Sequence, residues 1–391
     1  NFSYRLFTTQ QVVERTERAD ILRTISNQQE KVFIVEGDRG TGKTFFLLDL
    51  YAQLVQEKAM RPFFVGLFRY QAPEFETKPN VWLQADRDFV SSDVISLLKK
   101  LSEYLEIASI ESIDEENRPE YMARNLAKIH KEGITPVLLV DSIYECDEAV
   151  RIQIEKYILV PFLATGRAVI LLSGRGKRPI WTNPELRDAR IITLGKAPPA
   201  FVREQLEKLG SQHIDKIDKI LEWSDGYPLL VKLLGQSREL SIDALKNAID
   251  VLIEDTLLKT QEISADHIHD AIQKLALLSK PFRVPDIDTY LFPDDKEKRL
   301  KADRLVKHLL HSYLLFWGNW EGRNGYLLNH SVAHPVREWL RENPVLLQKY
   351  QRDWEMCVND FRRSSISKRS ATASWRRSEE RRVGKECRSR W

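Results

Sequence analysis

The chain has few cysteines and no long apolar segment, and each of these deficits excludes a class of protein. Its 391 residues include three cysteines, which are widely separated and lack the spacing of metal ligands. The sequence therefore predicts neither a disulfide framework nor a zinc site. No apolar run approaches the roughly 20 residues that cross a bilayer. The first residues also lack the charged-then-apolar pattern of a secretory signal, so we expect a cytoplasmic protein without a membrane segment.

Basic residues are concentrated at the carboxyl end of the chain. Residues 361–391 contain eleven Lys or Arg and three Glu, a net charge of +8, whereas the whole chain carries +3. The remainder is therefore mildly acidic. The terminal segment has no apolar periodicity, so we predict that it is disordered. Its composition resembles out-of-frame translation, which indicates a non-native end.

The most informative motif occupies residues 37–44. It consists of Gly37, Asp38, Arg39, Gly40, Thr41, Gly42, Lys43 and Thr44. The motif fits the phosphate-loop pattern GxxxxGK followed by Ser or Thr. In this pattern backbone N–H groups surround the phosphates, the lysine reaches the β and γ oxygens, and the hydroxyl binds Mg²⁺. An apolar run precedes the motif at residues 31–35, and a helical pattern begins at Phe45. Phe45 is predicted to bind the nucleotide together with residues 37–44. We therefore predict a strand-to-helix turn whose helix N-terminus faces the phosphates of ATP or ADP.

Strand and helix patterns alternate after this motif. Strands are predicted at residues 61–68, 134–141 and 168–173, and helices at residues 92–107, 118–130 and 148–163. This alternation predicts an α/β fold, a phosphate-loop NTPase with a parallel sheet flanked by helices. Ligands of such sheets bind at the carboxyl ends of the strands.

Beyond residue 194 the predicted strands give way to helices. Helical patterns at residues 201–209, 214–223 and 228–235 indicate a compact helical lid, and later helices precede two short strands at residues 313–317 and 325–328. Helices followed by a hairpin describe a winged helix. We therefore predict a phosphate-loop NTPase domain at residues 1–195, a helical lid domain at 196–262, a winged-helix domain at 263–345, and a C-terminal helix remnant with the basic tail at 346–391.

Asp141 ends a predicted strand, where a phosphate-loop enzyme places the acid that holds Mg²⁺ through water. Thr44 and Asp141 are therefore the predicted metal-binding residues. Ser142 stands where a second acid often follows, and a serine hydroxyl is no general base at neutral pH. Hydrolysis is therefore expected to be slow. Glu145 and Asp147 lie close enough in sequence to substitute, or else they are solvated charges at the start of a helix.

Arg175 follows the fourth predicted strand, and an arginine there can reach the γ-phosphate and report its loss. Lys177 and Arg178 are alternatives for this sensor role in the same loop. An arginine after a strand is also often only a surface charge.

Together these motifs resemble the STAND class of signal-transduction NTPases, which includes the NB-ARC and NACHT proteins. The resemblance covers residues 13–340. It implies that Arg15 lies near the nucleotide base, that Asp141 belongs to the Mg²⁺ motif, and that Arg175 is the sensor arginine. Residues 226–230 match the GxP motif of this class, in which Pro228 would pack against the adenine. The GxP helix followed by a winged helix is characteristic of the class.

The resemblance also implies a histidine that contacts the ADP β-phosphate, at the end of the winged helix. The match to that motif departs by one residue. The expected histidine falls on or beside Asn329 in one form of the motif and beside His334 in another. We favour His330 for this role. Without a histidine at the phosphate, the ADP-bound state would be less strongly favoured.

The mechanism that the resemblance implies is a nucleotide-dependent switch in a signalling or defence protein. ADP would hold the sheet, lid and winged helix closed, and exchange for ATP would expose surfaces for self-oligomerisation. The protein would be a slow Mg²⁺-dependent ATPase. An effector domain before Asn1 and a repeat-type sensor after about residue 345 would be expected in a full-length member of this class.

Two other functions remain open. A DNA-handling ATPase would use its winged helix as a reader, and basic residues occur there at Lys296, Lys298, Arg299, Lys301, Arg304 and Lys307. Asp294, Asp295, Glu297 and Asp303 dilute this charge, and the body of the chain is acidic, so nucleic acid is not an expected partner. The third possibility is a nucleotide-binding scaffold without turnover, because Ser142 replaces the second acid.

Overall fold

The computed structural model describes residues 13–66, 113–117, 120–121, 124–125, 133–146, 148–175, 178–258, 263–293, 295–320 and 322–359. The helix predicted at residues 92–107 lies outside these ranges, as do most of the helix predicted at residues 118–130 and the basic tail. The chain divides into two compact units. The first comprises Asn1–Ala248 with Asn329–Ser331, and the second comprises Ile249–Leu328 with Val332–Trp391.

A parallel sheet of five strands forms the centre of the first unit. Its strands are β1 (Val32–Glu36), β2 (Met60–Gly66), β3 (Thr135–Asp141), β4 (Val169–Ser173) and β5 (Arg190–Thr193). The strands follow the order β2-β3-β4-β1-β5, and every neighbouring pair is parallel. The predicted α/β fold with a parallel sheet is thereby confirmed.

Alternate side chains of the strands enter two separate hydrophobic clusters. Phe33 and Val35 of β1 pack with the helix that follows the phosphate loop, whereas Val32 and Ile34 pack with Tyr144. This alternation follows from the two-residue repeat of a strand. Because apolar side chains leave both faces of the central strands, their sequences are continuous apolar runs.

The helices of the first unit surround the sheet and continue into a helical lid. They are α1 (Thr16–Ser26), α2 (Lys43–Gln56), α3 (Glu148–Ile154), α4 (Val160–Leu163), α5 (Pro184–Arg187), α6 (Pro199–Lys208), α7 (Ile217–Ser224), α8 (Pro228–Gly235) and α9 (Ile242–Leu258), the last of which reaches into the second unit. A π-helical turn, Glu155–Leu159, joins α3 to α4. The buried Glu155 carboxylate accepts hydrogen bonds from both the N–H and the hydroxyl of Thr182, which fixes the segment that leads to α5.

The second unit contains helices and an antiparallel hairpin. Its elements are α10 (Ala265–Ala276), α11 (Val284–Leu291), α12 (Lys298–His311), β6 (Leu315–Trp320), β7 (Arg323–Leu328), α13 (His330–Arg341) and a helix α14 at residues 344–359. Phe282 extends the hairpin through paired backbone hydrogen bonds with Tyr326. This order of elements is that of a winged helix. Among the described residues, the helices are all too short or too polar to cross a membrane.

Candidate nucleotide-binding site

The phosphate loop connects the end of β1 to the start of α2. Gly42 precedes the helix with a φ of 89°, in the left-handed region that favours glycine. Gly37 has no room for a side chain, because a Cβ atom there would lie 2.4 Å from the Leu194 carbonyl oxygen. Gly42 therefore serves the backbone conformation, whereas Gly37 serves the close packing against Leu194.

Lys43 points back into this loop. Its Nζ donates hydrogen bonds to the carbonyl oxygens of Gly37 at 2.7 Å and Asp38 at 3.0 Å. The Thr41 hydroxyl donates to the Asp38 carbonyl at 2.9 Å, and Arg39 is buried. The ammonium group is thus held inside the loop at the N-terminus of α2, a position suited to an anion.

Thr44 and Asp141 meet beside the loop. The Thr44 hydroxyl donates to Asp141 Oδ2 at 2.8 Å, and the Ser173 hydroxyl contacts Asp141 Oδ1. The Asp141 side chain is buried at the end of β3. Hydroxyl and carboxylate oxygens are the hard ligands that Mg²⁺ prefers. This pair therefore fits the metal predicted for the site.

The residues after β3 turn away from the strand direction. Ser142 is buried and takes a left-handed conformation with a φ of 65°. A short 3₁₀ helix, Ile143–Glu145, follows, in which the backbone of Glu145 is described but not its side chain; Asp147 lies outside the described residues. The role predicted for Glu145 therefore stays a prediction.

Glu36, the last residue of β1, lies at the centre of a polar cluster that no sequence motif indicated. Arg178 donates to both of its carboxylate oxygens, from Nε at 2.8 Å and from Nη2 at 3.1 Å, and the Tyr144 hydroxyl donates at 3.2 Å. Arg178 holds the pKa of Glu36 below its ordinary value, while burial and the Glu36 charge raise the pKa of Tyr144. Arg175 is half-buried just after β4, and Lys177 lies outside the described part of the chain.

An apolar cleft opens beside the loop, on the side of Arg15. Its walls include Val13, Phe45, Phe201 and Pro228. The Arg15 guanidinium donates to the Thr41 carbonyl oxygen at 2.9 Å and lies 4.9 Å from the centre of the Phe201 ring. Flat apolar walls beside a phosphate loop suit a nucleotide base. The cleft brings Arg15, Phe45 and Pro228 together, and Phe201 is an addition to the predicted set.

The GxP segment, residues 226–230, is hydrogen-bonded to the phosphate loop. The Leu229 N–H donates to the Gly40 carbonyl oxygen at 3.1 Å, and the Tyr227 hydroxyl donates to Asp38 Oδ2 at 3.0 Å. Burial and the Asp38 carboxylate raise the pKa of Tyr227, so it remains a neutral donor. The start of α8 is therefore held at the nucleotide loop.

His330 lies next to this segment within the first unit. Its Nδ1 is 3.4 Å from Asp225 Oδ2, and its ring centre is 6.3 Å from that of Tyr227. Asp225 also forms an ion pair with Lys196. His334 belongs to the second unit, one helical turn further along α13.

Comparisons with known proteins give likenesses only among solved structures. No protein-family model matches the chain, and no curated protein matches it. Cdc6p from Pyrobaculum aerophilum is 12% identical, with 87% of this chain and 98% of that chain covered and a TM-score of 0.40. A RuvB variant from Thermotoga maritima is 13% identical over 84% and 95% of the two chains, with a TM-score of 0.39. The Drosophila ORC structure, which is bound to DNA, is 14% identical over 83% and 85%, with a TM-score of 0.37.

These low TM-scores carry no argument about function. The assignment of the fold rests instead on the parallel sheet and on the phosphate loop between β1 and α2. On that basis the first unit has the α/β fold of a phosphate-loop NTPase.

Proposed function

We propose that this protein is an ATP- and ADP-binding regulatory switch with slow Mg²⁺-dependent hydrolysis. One observation carries the proposal: the phosphate loop is bonded on one side to the acid at the end of β3 and on the other to the lid. Thr44 supplies the first bond, to Asp141, and Tyr227 and Leu229 supply the others. A nucleotide in the loop would therefore affect both the hydrolytic groups and the lid.

The polar groups of the loop support binding of the phosphates. Lys43 and the N-terminus of α2 would neutralise the β- and γ-phosphate charge. Thr44 and Asp141 would hold Mg²⁺, which supplies further charge neutralisation when bound. Ser142 in place of a second acid supports slow turnover, and Arg175 is the proposed γ-phosphate sensor.

The lid supports the regulatory part of the proposal. Pro228 would pack on the base in the cleft beside Arg15 and Phe45, and the Tyr227 hydroxyl would respond to movement of the loop. His330, beside Tyr227, is the proposed contact to the ADP β-phosphate. Replacing ADP by ATP would shift the lid and release surfaces for self-oligomerisation, in a signalling or defence protein.

The direct test is to identify the nucleotide that copurifies with the protein. Chromatography of the released ligand should give ADP in the wild type and little or none in Lys43→Ala, because the lysine supplies charge-assisted bonds worth about 10- to 100-fold in affinity. Lys31→Ala is a matched control, since Lys31 pairs with the exposed Glu185. A wild type that binds neither ADP nor ATP would refute the proposal.

Assembly provides the second test of the switch. Light scattering with ADP, ATP and a non-hydrolysable ATP analogue should give a larger species only with the last two. A protein that remains monomeric in all three nucleotides would contradict the oligomerisation part of the proposal, while leaving nucleotide binding intact.

A nucleotide-binding scaffold without turnover is the first alternative. It rests on Ser142, which lies at the position of the missing acid. Phosphate release should be measured for wild type and Ser142→Asp, since a positioned carboxylate contributes about 10²- to 10⁴-fold to such reactions. Measurable release by the wild type would exclude the scaffold.

A DNA-handling ATPase is the second alternative, and the charges of α12 argue against it. Lys301 is paired with Asp295, Lys307 with Asp303 at 2.9 Å, and Arg299 lies 3.6 Å from Asp288. Acidic partners thus compensate much of the helix's positive charge. Binding to duplex DNA that weakens steeply with salt would favour this alternative, because phosphate contacts release counterions.

A further inference from the structure

Glu36 places a carboxylate at the edge of the phosphate loop. It is the last residue of β1, and the next residue, Gly37, begins the loop. Its predecessor Val35 is the register partner of Ser173 on β4, and Ser173 contacts Asp141. Glu36 therefore stands beside the strand end that supports the proposed metal-binding acid.

The strand alternation places Glu36 on the face of the sheet opposite to Asp141. Asp141 follows Val140 and contacts Thr44 of α2, whereas Glu36 follows Val35 and contacts Tyr144 on the other face. The position after Asp141 begins the segment that reaches the Glu36 face, since Tyr144 within that segment donates a hydrogen bond to Glu36. A second acid would occupy that position, but the chain has Ser142 there.

We infer that Glu36 is the general base for ATP hydrolysis in this protein, and that Arg178 is a positioning residue that restrains it. The inference rests on the proposed function. Glu36 would orient the attacking water and accept its proton. The water oxygen forms a bond to the γ-phosphorus, the bond from that phosphorus to the bridging oxygen breaks, and ADP and phosphate leave. The proton then returns from Glu36 to solvent.

The contacts of Glu36 fit this role. Its side chain is 26% exposed, so water reaches it, and that of Arg178 is 41% exposed at the start of a loop segment after β4. Because Arg178 binds both carboxylate oxygens, Glu36 is held as an anion but turned toward the arginine. A base that must leave an ion pair before it accepts a proton would act slowly, in keeping with the slow hydrolysis proposed for the switch.

The experiment measures single-turnover ATP hydrolysis and, separately, ATP affinity. Glu36→Gln should lower the hydrolysis rate by about 100-fold, with ATP affinity changed less than about twofold. Arg178→Ala should raise the rate, because it frees the carboxylate. In the double variant the rate should fall to that of Glu36→Gln. The matched controls are Asp20→Asn and Arg190→Ala, which break the ion pair between Asp20 of α1 and Arg190 at the start of β5.

Each other outcome has a distinct meaning. Glu36→Gln hydrolysing at the wild-type rate would overturn the inference and leave the proposed function standing. A similar loss of rate in Glu36→Gln and Arg178→Ala would show an ion pair that only supports the fold, and would also overturn it. If wild type and Arg178→Ala both bound ATP without hydrolysing it, the inference about Glu36 would likewise be overturned. A wild type that binds no nucleotide would instead refute the proposed function.

Discussion

The Tyr227 hydroxyl donates a hydrogen bond to Asp38 Oδ2 at 3.0 Å, across 189 residues of sequence. Tyr227 immediately precedes α8, and Asp38 is the second residue of the phosphate loop. The ring of Tyr227 also lies near His330. A displacement of the phosphate loop would therefore move the start of α8 and the surroundings of His330.

Removing this hydroxyl should loosen the lid on its nucleotide. We expect Tyr227→Phe to release ADP about 2- to 10-fold faster, because a hydrogen bond contributes about 0.5–1.5 kcal/mol. Stopped-flow displacement of a fluorescent ADP analogue measures this rate. Tyr350→Phe is the control, since Tyr350 donates the same kind of bond to Asp270 in the second unit. Equal release rates in wild type and Tyr227→Phe would show that this bond does not retain the nucleotide.

Gly226, before Tyr227, should not tolerate a side chain. Its φ is 75°, and a Cβ atom would lie 2.6 Å from the Ala197 carbonyl oxygen. We expect Gly226→Ala to lower the free energy of unfolding by about 3 kcal/mol or more, through the clash as well as backbone strain. Urea denaturation measures the loss.

Gly166 offers a matched control for that substitution. Its φ is 82°, but a Cβ atom added there would meet no atom within 4 Å beyond its chain neighbours. Gly166→Ala should therefore cost about 1–2 kcal/mol, from the backbone conformation alone. If the two variants were equally destabilised, close packing of the GxP turn against Ala197 would not be the reason for its glycine.

Asp141 should control the effect of Mg²⁺ on ATP affinity. We expect Asp141→Asn to weaken the affinity for Mg²⁺ about 10- to 100-fold. This is the usual loss of metal affinity when a residue that hydrogen-bonds to a ligand of the metal is replaced. Titration of ATP binding with Mg²⁺, and again with a chelator, measures the difference. Asp20→Asn should behave as wild type, because Asp20 pairs with Arg23 and Arg190 away from the loop. An unchanged Mg²⁺ dependence in Asp141→Asn would remove Asp141 from the metal site.

Sequence patterns identified the central elements of the fold because their signals are local. The phosphate loop fixes its own strand and helix, and the strand predicted at residues 134–141 corresponds to Thr135–Asp141. β5 was not predicted, because Arg190–Thr193 has only four residues and joins the sheet through its pairing with β1. Long-range pairing of this kind leaves little trace in a short segment.

The site shows the same division between local and distant information. Lys43 and Thr44 follow from their motif, whereas the cluster at Glu36 depends on Arg178, which is 142 residues away in sequence. An acid before the first glycine of the loop was visible, but its partners were not. Phe201 lines the cleft together with Pro228, but no local pattern predicts this role for it.

The Glu36–Arg178 ion pair should give the protein a defined loss of stability in acid. Arg178 lowers the pKa of Glu36 from its ordinary 4.5, so the folded state binds this proton less tightly than the unfolded chain. The pair therefore stabilises the fold above pH 4.5, and this contribution disappears as the pH falls through the lower, folded-state pKa. Because both side chains are partly exposed, solvent screening limits the effect to about 1 kcal/mol or less.

Urea unfolding between about pH 7 and pH 3 measures this dependence. Both Glu36→Gln and Arg178→Ala should lose less stability than the wild type over the acidic part of that range, since each removes the same linked proton. Asp20→Asn is not a neutral control here, because Arg23 and Arg190 also lower the pKa of Asp20. Ser142→Asp is also unsuitable as a control, because it adds a carboxylate. The control variant is therefore Tyr350→Phe in the second unit. If Glu36→Gln and wild type lost stability in parallel, Glu36 would not be ion-paired in solution, and Arg178 could not restrain it.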